Sequence, residues 1–311
     1  MKTVASNHQR GKFNSSITRV RPVFQELINQ DRTGLSWLPE ILKRAPINRN
    51  FATRLSENPG TLLEETLQIQ RYPDRVLKEY GVDKIDLETC FEKSLPPPAR
   101  FLRWLIENPS KMSWPKGKFS KETLYKREKL FDEHGEIAAQ ETRQEALLEL
   151  EHHGSLGSAK KWWAFEGFTE VDCCLETDRL VLFIEGKRKE SLSPSTAWYP
   201  ARNQLIRNLE VAQEIAGDKD FAVIVIAKQD IGPISEEIVE KGLPHFNQEE
   251  RNDLMKHYLG CILWPDLCHA VGMDYNNLPK TTTEVVEKLK CPMTTQKMFS
   301  WNSLQLSCLR S

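Results

Sequence analysis

No stretch of this 311-residue chain reaches the roughly 18–20 consecutive apolar residues that a membrane-spanning helix requires. Net charge is also nearly absent, −1 from 43 Lys and Arg against 44 Asp and Glu, so global electrostatics give no sign of a polyanion-binding protein. The seven cysteines, at 90, 173, 174, 261, 268, 291 and 308, contain no Cys-x-x-Cys pair and no Cys/His zinc-finger spacing. An odd, scattered set argues against a disulfide framework and structural zinc, and for reduced thiols in a cytoplasmic or similar compartment. Gly-x-Gly-x-x-Gly, Walker A, Gly-x-Ser-x-Gly and His-Glu-x-x-His patterns are all missing, which removes the chemistries those motifs carry. Residues Met1 to Arg21 are polar and basic without an apolar h-region, so the expectation is a soluble, unexported protein.

A hydrophobic fraction of 39% with 28% charged residues is enough to build packed cores, and the length suits two domains. Residues 1–22 read as a flexible leader. From Val23 the apolar positions Phe24, Leu27 and Ile28, then Leu35, Leu38, Ile41 and Leu42, recur at three and four, the period of amphipathic helices, up to Pro46. Short helices are expected over Leu62 to Ile69, Arg75 to Tyr80 and Leu87 to Phe91, and another around Phe101 to Ile106. Residues 23–118 therefore form an expected helical N-terminal region. Its aromatics Phe101, Trp104 and Trp114 read as a docking surface for a partner or a second copy.

Between 120 and 153 the pattern is long and helical, ending near His153-Gly154. Composition then turns β-like: Trp162 to Thr169, Thr169 to Leu175, a Thr177-Asp178-Arg179 turn, and Leu180 to Glu185 read as three antiparallel strands. A helix over Asn203 to Ala216 leads to Phe221 to Ala227, a Val/Ile run suited to a buried central strand, parallel to its neighbour because a helix makes the crossover. A further strand or buried helix is expected at Cys261 to Trp264. Residues 119–275 are thus expected to form an α/β domain, with 276–311 as a C-terminal appendage.

The chemistry concentrates at Asp172, Glu185 and Lys187. Residues i and i+2 of a strand share a face, so Glu185 and Lys187 stand side by side with Gly186 between them, and the hairpin returns Asp172 beside Glu185. Two adjacent carboxylates repel unless a divalent cation neutralises them, and oxygen ligands of this kind favour Mg²⁺ or Mn²⁺.

Residues 163–207 resemble the PD-(D/E)XK nuclease superfamily, with Asp172 at the motif aspartate, Glu185 at the variable acid and Lys187 at the lysine; Val171 stands where the family usually has proline. The resemblance implies a restriction-endonuclease-like mixed sheet in the order helix, three strands, helix, strand. It also implies metal-dependent hydrolysis of phosphodiester bonds, in DNA ahead of RNA with both substrates open, and Asp172 and Glu185 as metal ligands. Members often add a helix glutamate before the strands and a polar residue after them. Glu149, or Glu145 one turn earlier, and Gln204 answer to these positions. Arg188, Lys189, Arg202 and Arg207 supply positive charge for the nucleic-acid backbone, and Trp198 and Tyr199 are candidates for base stacking.

Plainer readings stand beside these. The triad can be a cross-strand salt bridge, and the fold can persist as a noncatalytic nucleic-acid-binding or protein-assembly module. Glu166 and Glu170 read as ordinary polar positions, Glu166 also as a further acid. His152 and His153 read as a helix end, and Cys173 and Cys174 as packing residues.

Overall fold

The computed structural model describes residues 15–67, 70–71, 88–89, 93–113, 119–131, 135–188 and 190–285. The expected helix at 75–80, Trp114, Lys189 and the chain beyond Val285 lie outside the described residues. The architecture is mixed α/β.

A π-helical turn, Ser16–Val20, runs into α1 (Arg21–Gln30), followed by α2 (Leu38–Lys43) and α3 (Arg49–Glu57). The leader expected over 1–22 therefore does not extend to its boundary: Ile17 and Val20 are 1% exposed and belong to the core. The middle of the N-terminal half is also not purely helical. Gln70–Arg71 pairs with Glu88–Thr89, and β1 (Lys93–Leu95) follows before α4 (Ala99–Glu107). After α4 come α5 (Lys121–Leu130) and the long α6 (Glu136–His153), which stops at Gly154, where φ is +60°. That positive φ is cheap only for glycine.

Trp162 to Phe168, expected as a strand, is irregular. Trp162, Trp163 and Phe165 are drawn sideways into an aromatic and aliphatic cluster with Phe101, Leu105, Leu130, Ala146 and Leu150, so burial against helices overrides their β propensity. The strands begin with β2 (Thr169–Val171), which pairs antiparallel with β1. Asp172 sits at a bend, and β3 (Cys173–Glu176) turns through Thr177 to Arg179 into β4 (Leu180–Gly186). Then follow α7 (Gln204–Ala216), β5 (Asp220–Ala227), α8 (Glu236–Gly242), α9 (Gln248–Met255), β6 (Tyr258–Leu263) and α10 (Trp264–Ala270).

The main sheet has the order β3-β4-β5-β6, with β3 antiparallel to β4 and the other pairs parallel. Strand β4 is buried at every position, and its two faces feed different cores. Leu180, Leu182 and Ile184 meet α1 and α2 through Val23, Phe24, Leu27, Leu38 and Ile41. Val181 and Phe183 face Leu205, Leu209 and Ala212 of α7. The N-terminal helices thus share one apolar core with the sheet.

The two-residue period puts Glu185 on the α7 face and Gly186 on the opposite one. A Cβ at Gly186 would lie 2.4 Å from Val20 Cγ2 and 3.3 Å from Trp264. Glycine is therefore required by the π-helical turn seated against the end of β4. Gly186→Ala is expected to lower stability by about 1–3 kcal/mol, read as a shift in the urea midpoint, with Val20→Ala restoring part of the loss. An unshifted midpoint would contradict this close approach.

Among the described residues, no helix is long and apolar enough to cross a membrane.

Candidate active site

Strand β4 ends inside the molecule with its last acid and the following lysine covered: Glu185 is 2% exposed and Lys187 is 8%. Asp172 is the bend residue just before β3, whose first residue, Cys173, pairs antiparallel with Ile184, the neighbour of Glu185. The Gly186 amide N–H donates to Asp172 Oδ2 at 2.9 Å, tying the bend between β2 and β3 to the end of β4.

Three donors reach Glu185. Lys187 Nζ and Gln204 Nε2 each donate to Oε1 at 2.7 Å, and Asn208 Nδ2 donates to Oε2 at 3.1 Å. Gln204 opens α7, with the Asn203 side chain capping the helix at the Leu205 N–H, 2.8 Å. The other end of the Gln204 amide accepts from the Ser193 N–H at 3.2 Å, so one residue joins the loop after β4 to the acid. The Lys187 backbone is fixed as well: its N–H donates to Ile226 O at 2.7 Å, and Trp264 Nε1 donates to its carbonyl at 2.9 Å.

Burial disfavours a charge on Lys187, but Glu185 and Asp172 outweigh it and hold the ammonium above the ordinary lysine value of 10.5. A raised folded-state pKa means that the pairing contributes full stability below the pH at which an unfolded lysine titrates, and loses it as pH rises through the folded value. The stability difference between the wild type and Lys187→Met is expected to stay constant from about pH 7 to about pH 10 and to narrow above. A difference already shrinking near pH 8 in urea titrations counts against this pairing.

The other expected site residues divide. Gln204 joins Glu185, whereas Glu149 does not: its carboxylate accepts from Trp163 Nε1 at 2.9 Å and pairs with Lys161 at 3.4 Å. Glu145 pairs with Lys126. Both glutamates of α6 are thus held by the α5 and Trp163 surroundings. Arg202 is fully buried rather than available to a nucleic-acid backbone. It is 3.1 Å from Glu166, 2.7 Å from Glu210 and 3.8 Å above the Phe101 ring. This buried cluster also explains Glu166, 1% exposed, which is neither a solvated polar residue nor a member of the Asp172 and Glu185 pair. Phe101, expected to dock a partner, is covered from outside.

Arg188 is half-buried and donates to Lys280 O at 2.5 Å. Trp198 meets Phe165 edge-on at 5.0 Å and carries Arg127 over its ring at 4.6 Å, while Tyr199 packs edge-on against Phe101 and Trp104 and donates to Lys241 O. Neither aromatic is an open stacking platform. His152 bonds Leu148 O at the end of α6, and Cys173 and Cys174 are buried, burial pushing the Cys174 thiol up to about 12.

Asn208 is the residue that sequence reasoning missed. It lies four positions after Gln204, one helical turn along the same face, so spacing alone could have found it. Its Oδ1 is buried without a hydrogen-bond donor, an acceptor left over beside Glu185.

Two cavities are lined by residues bonded to Glu185. One, of about 360 Å³, is lined by Lys187, Arg188 and Asn203 together with Lys228 and Asp230 past the end of β5. The other, of about 390 Å³, is lined by Glu166, Ser195, Trp198, Arg202, Gln204 and Arg207. Lys187 and Gln204, which share Glu185 Oε1, thus face different cavities.

No family model, curated protein or solved structure matches the chain.

Proposed function

We propose that this chain is a metal-dependent nuclease of the PD-(D/E)XK type that hydrolyses phosphodiester bonds in DNA, with its α/β core, α6 through β5, a restriction-endonuclease-like one. The observation that carries this reading is the convergence of Asp172, Glu185 and Lys187 at the buried end of the central strand β4, with residues bonded to Glu185 lining two cavities.

Among the described residues no group of three or more His, Cys, Asp or Glu side chains is placed to hold a metal ion, so the proposed site rests on the two carboxylates Asp172 and Glu185. Mg²⁺ is bound through one or two carboxylates and keeps several waters, so this set and the spare Asn208 Oδ1 fit Mg²⁺ or Mn²⁺. When bound there, the cation supplies charge neutralisation at the phosphate and an acidified water. Lys187 brings an ammonium whose pKa is raised above the ordinary lysine value to the same point, where it offsets charge developing on the phosphate. Gln204 and Asn208 hold the Glu185 carboxylate in one orientation.

A second reading, a noncatalytic nucleic-acid-binding or assembly module, is favoured by a specific feature: both Glu185 oxygens already accept hydrogen bonds from the protein. The two readings separate in a cleavage panel of single-stranded, duplex and branched DNA and RNA, run with Mg²⁺, Mn²⁺ or EDTA. The nuclease reading expects cutting that EDTA abolishes and Asp172→Asn removes. Tight binding without cutting in any arm supports the noncatalytic module instead.

A further inference from the structure

We propose that the cavity of about 390 Å³ between Phe165–Gly167 and the Ser193–Trp198 loop is a nucleotide-sized subsite that binds a phosphate group through Arg207. The subsite deepens the nuclease reading and rests on it for its biological ligand. Its size falls within the roughly 300–1,000 Å³ of small-molecule pockets. It adjoins the acid centre directly, because Gln204 lines it and also donates to Glu185 Oε1 at 2.7 Å.

Two guanidinium groups line the cavity, and they are not equivalent. Arg202 is neutralised by Glu166 and Glu210, and Glu166, the carboxylate in the same wall, is occupied in return. The Arg207 guanidinium forms no hydrogen bond or ion pair to a described residue, and its Nε is buried without a partner. Burial, with Arg202 nearby, holds Arg207 below the ordinary guanidinium value, and Glu166 and Glu185 only partly offset this. A guanidinium whose Nε is buried without a partner, and whose burial the nearby carboxylates Glu166, Glu185 and Glu170 offset only in part, carries a cost that a bound anion relieves, and a guanidinium matches phosphate oxygens in pairs. Ser195 and Thr196 of the loop also line the wall.

The phosphate has two possible sources on nucleic acid, a terminal phosphomonoester or an internal diester next to the cleaved bond. Binding to the full-length protein in EDTA distinguishes them without requiring turnover. Adenosine 5′-monophosphate is expected to bind at least about tenfold tighter than adenosine, the order of one charge-assisted contact. Arg207→Gln should abolish the difference, Arg207→Lys should retain part of it, and Asp172→Asn should leave it in place. Melting curves of each variant show that the fold is intact. In the second arm, labelled oligonucleotides of one sequence carry a 5′-phosphate, a 3′-phosphate or neither. Preference for one phosphorylated end, lost in Arg207→Gln, assigns the terminal group, whereas equal binding weakened by Arg207→Gln assigns an internal one.

Equal binding of the monophosphate and adenosine, or discrimination unchanged in Arg207→Gln, overturns the subsite. Discrimination that persists in a protein unable to cut any substrate leaves the subsite standing and removes the nuclease.

Discussion

Replacing Arg202 by alanine is expected to cost about 3–5 kcal/mol of folding stability, the size seen when one member of a buried charge cluster is removed. Domains of ordinary stability hold about 5–15 kcal/mol in total, so the variant would be near its unfolding threshold. Arg202 has no solvent exposure, and the substitution leaves Glu166 and Glu210, 1% and 3% exposed, without the guanidinium that both pair with. It also removes the Nη1 bond to Gly242 O at 3.2 Å and the cation over Phe101. Arg202 Nη2 also lies 2.7 Å from Glu210 Oε2, and the substitution removes this contact as well.

Burial alone would raise the Glu210 pKa, but Arg202 and His245 outweigh it and hold the carboxyl below its ordinary 4.5. With a depressed folded-state pKa, this contribution is present above the unfolded value and lost as pH falls through the folded one. Chemical denaturation near neutral pH tests the expectation, with Arg202→Met combined with Glu166→Gln and Glu210→Gln as the control that removes all three charges. A loss below about 1 kcal/mol in Arg202→Ala would falsify the view that this cluster organises the helical half against α7.

Arg202 also shows why part of the site was hard to read from sequence. Its acidic partners are 36 and 8 positions away, and nothing local distinguishes it from Arg188 or Arg207, so a buried counter-ion looked like a surface contact. Glu149 misleads in the opposite direction. Its place beside an apolar stripe is real, but the stripe faces Trp163 rather than Asp172. Glu185, Lys187 and Gln204 were legible because strand period and helix start act locally and survive whatever packs around them. The parallel placement of β5 beside β4 was legible for a similar reason: a crossover helix leaves few alternatives. Val20 lies at the other extreme. Its seat against Gly186 depends on a contact 166 positions away that no periodicity encodes.

Loss of cleavage by about 10²–10³-fold is expected for Asp172→Asn and for Lys187→Met, the range found when one group that stabilises developing charge is removed. The two substitutions test different things. Asparagine at 172 keeps a side-chain oxygen able to accept from the Gly186 N–H, so the bend before β3 is retained while the charge is lost. Methionine at 187 fills similar space but leaves Glu185 bonded only by Gln204 and Asn208, so part of its effect passes through stability. Melting curves taken beside single-turnover rates separate the two contributions. In the proposed mechanism both groups act on the same phosphate, so the double variant should cut little more slowly than either single one, as residues working as a unit are not additive. Fully multiplicative losses would mean independent roles and break the shared-centre reading. Wild-type rates in both singles, with cleavage still dependent on Mg²⁺, would move the active centre away from the end of β4 altogether.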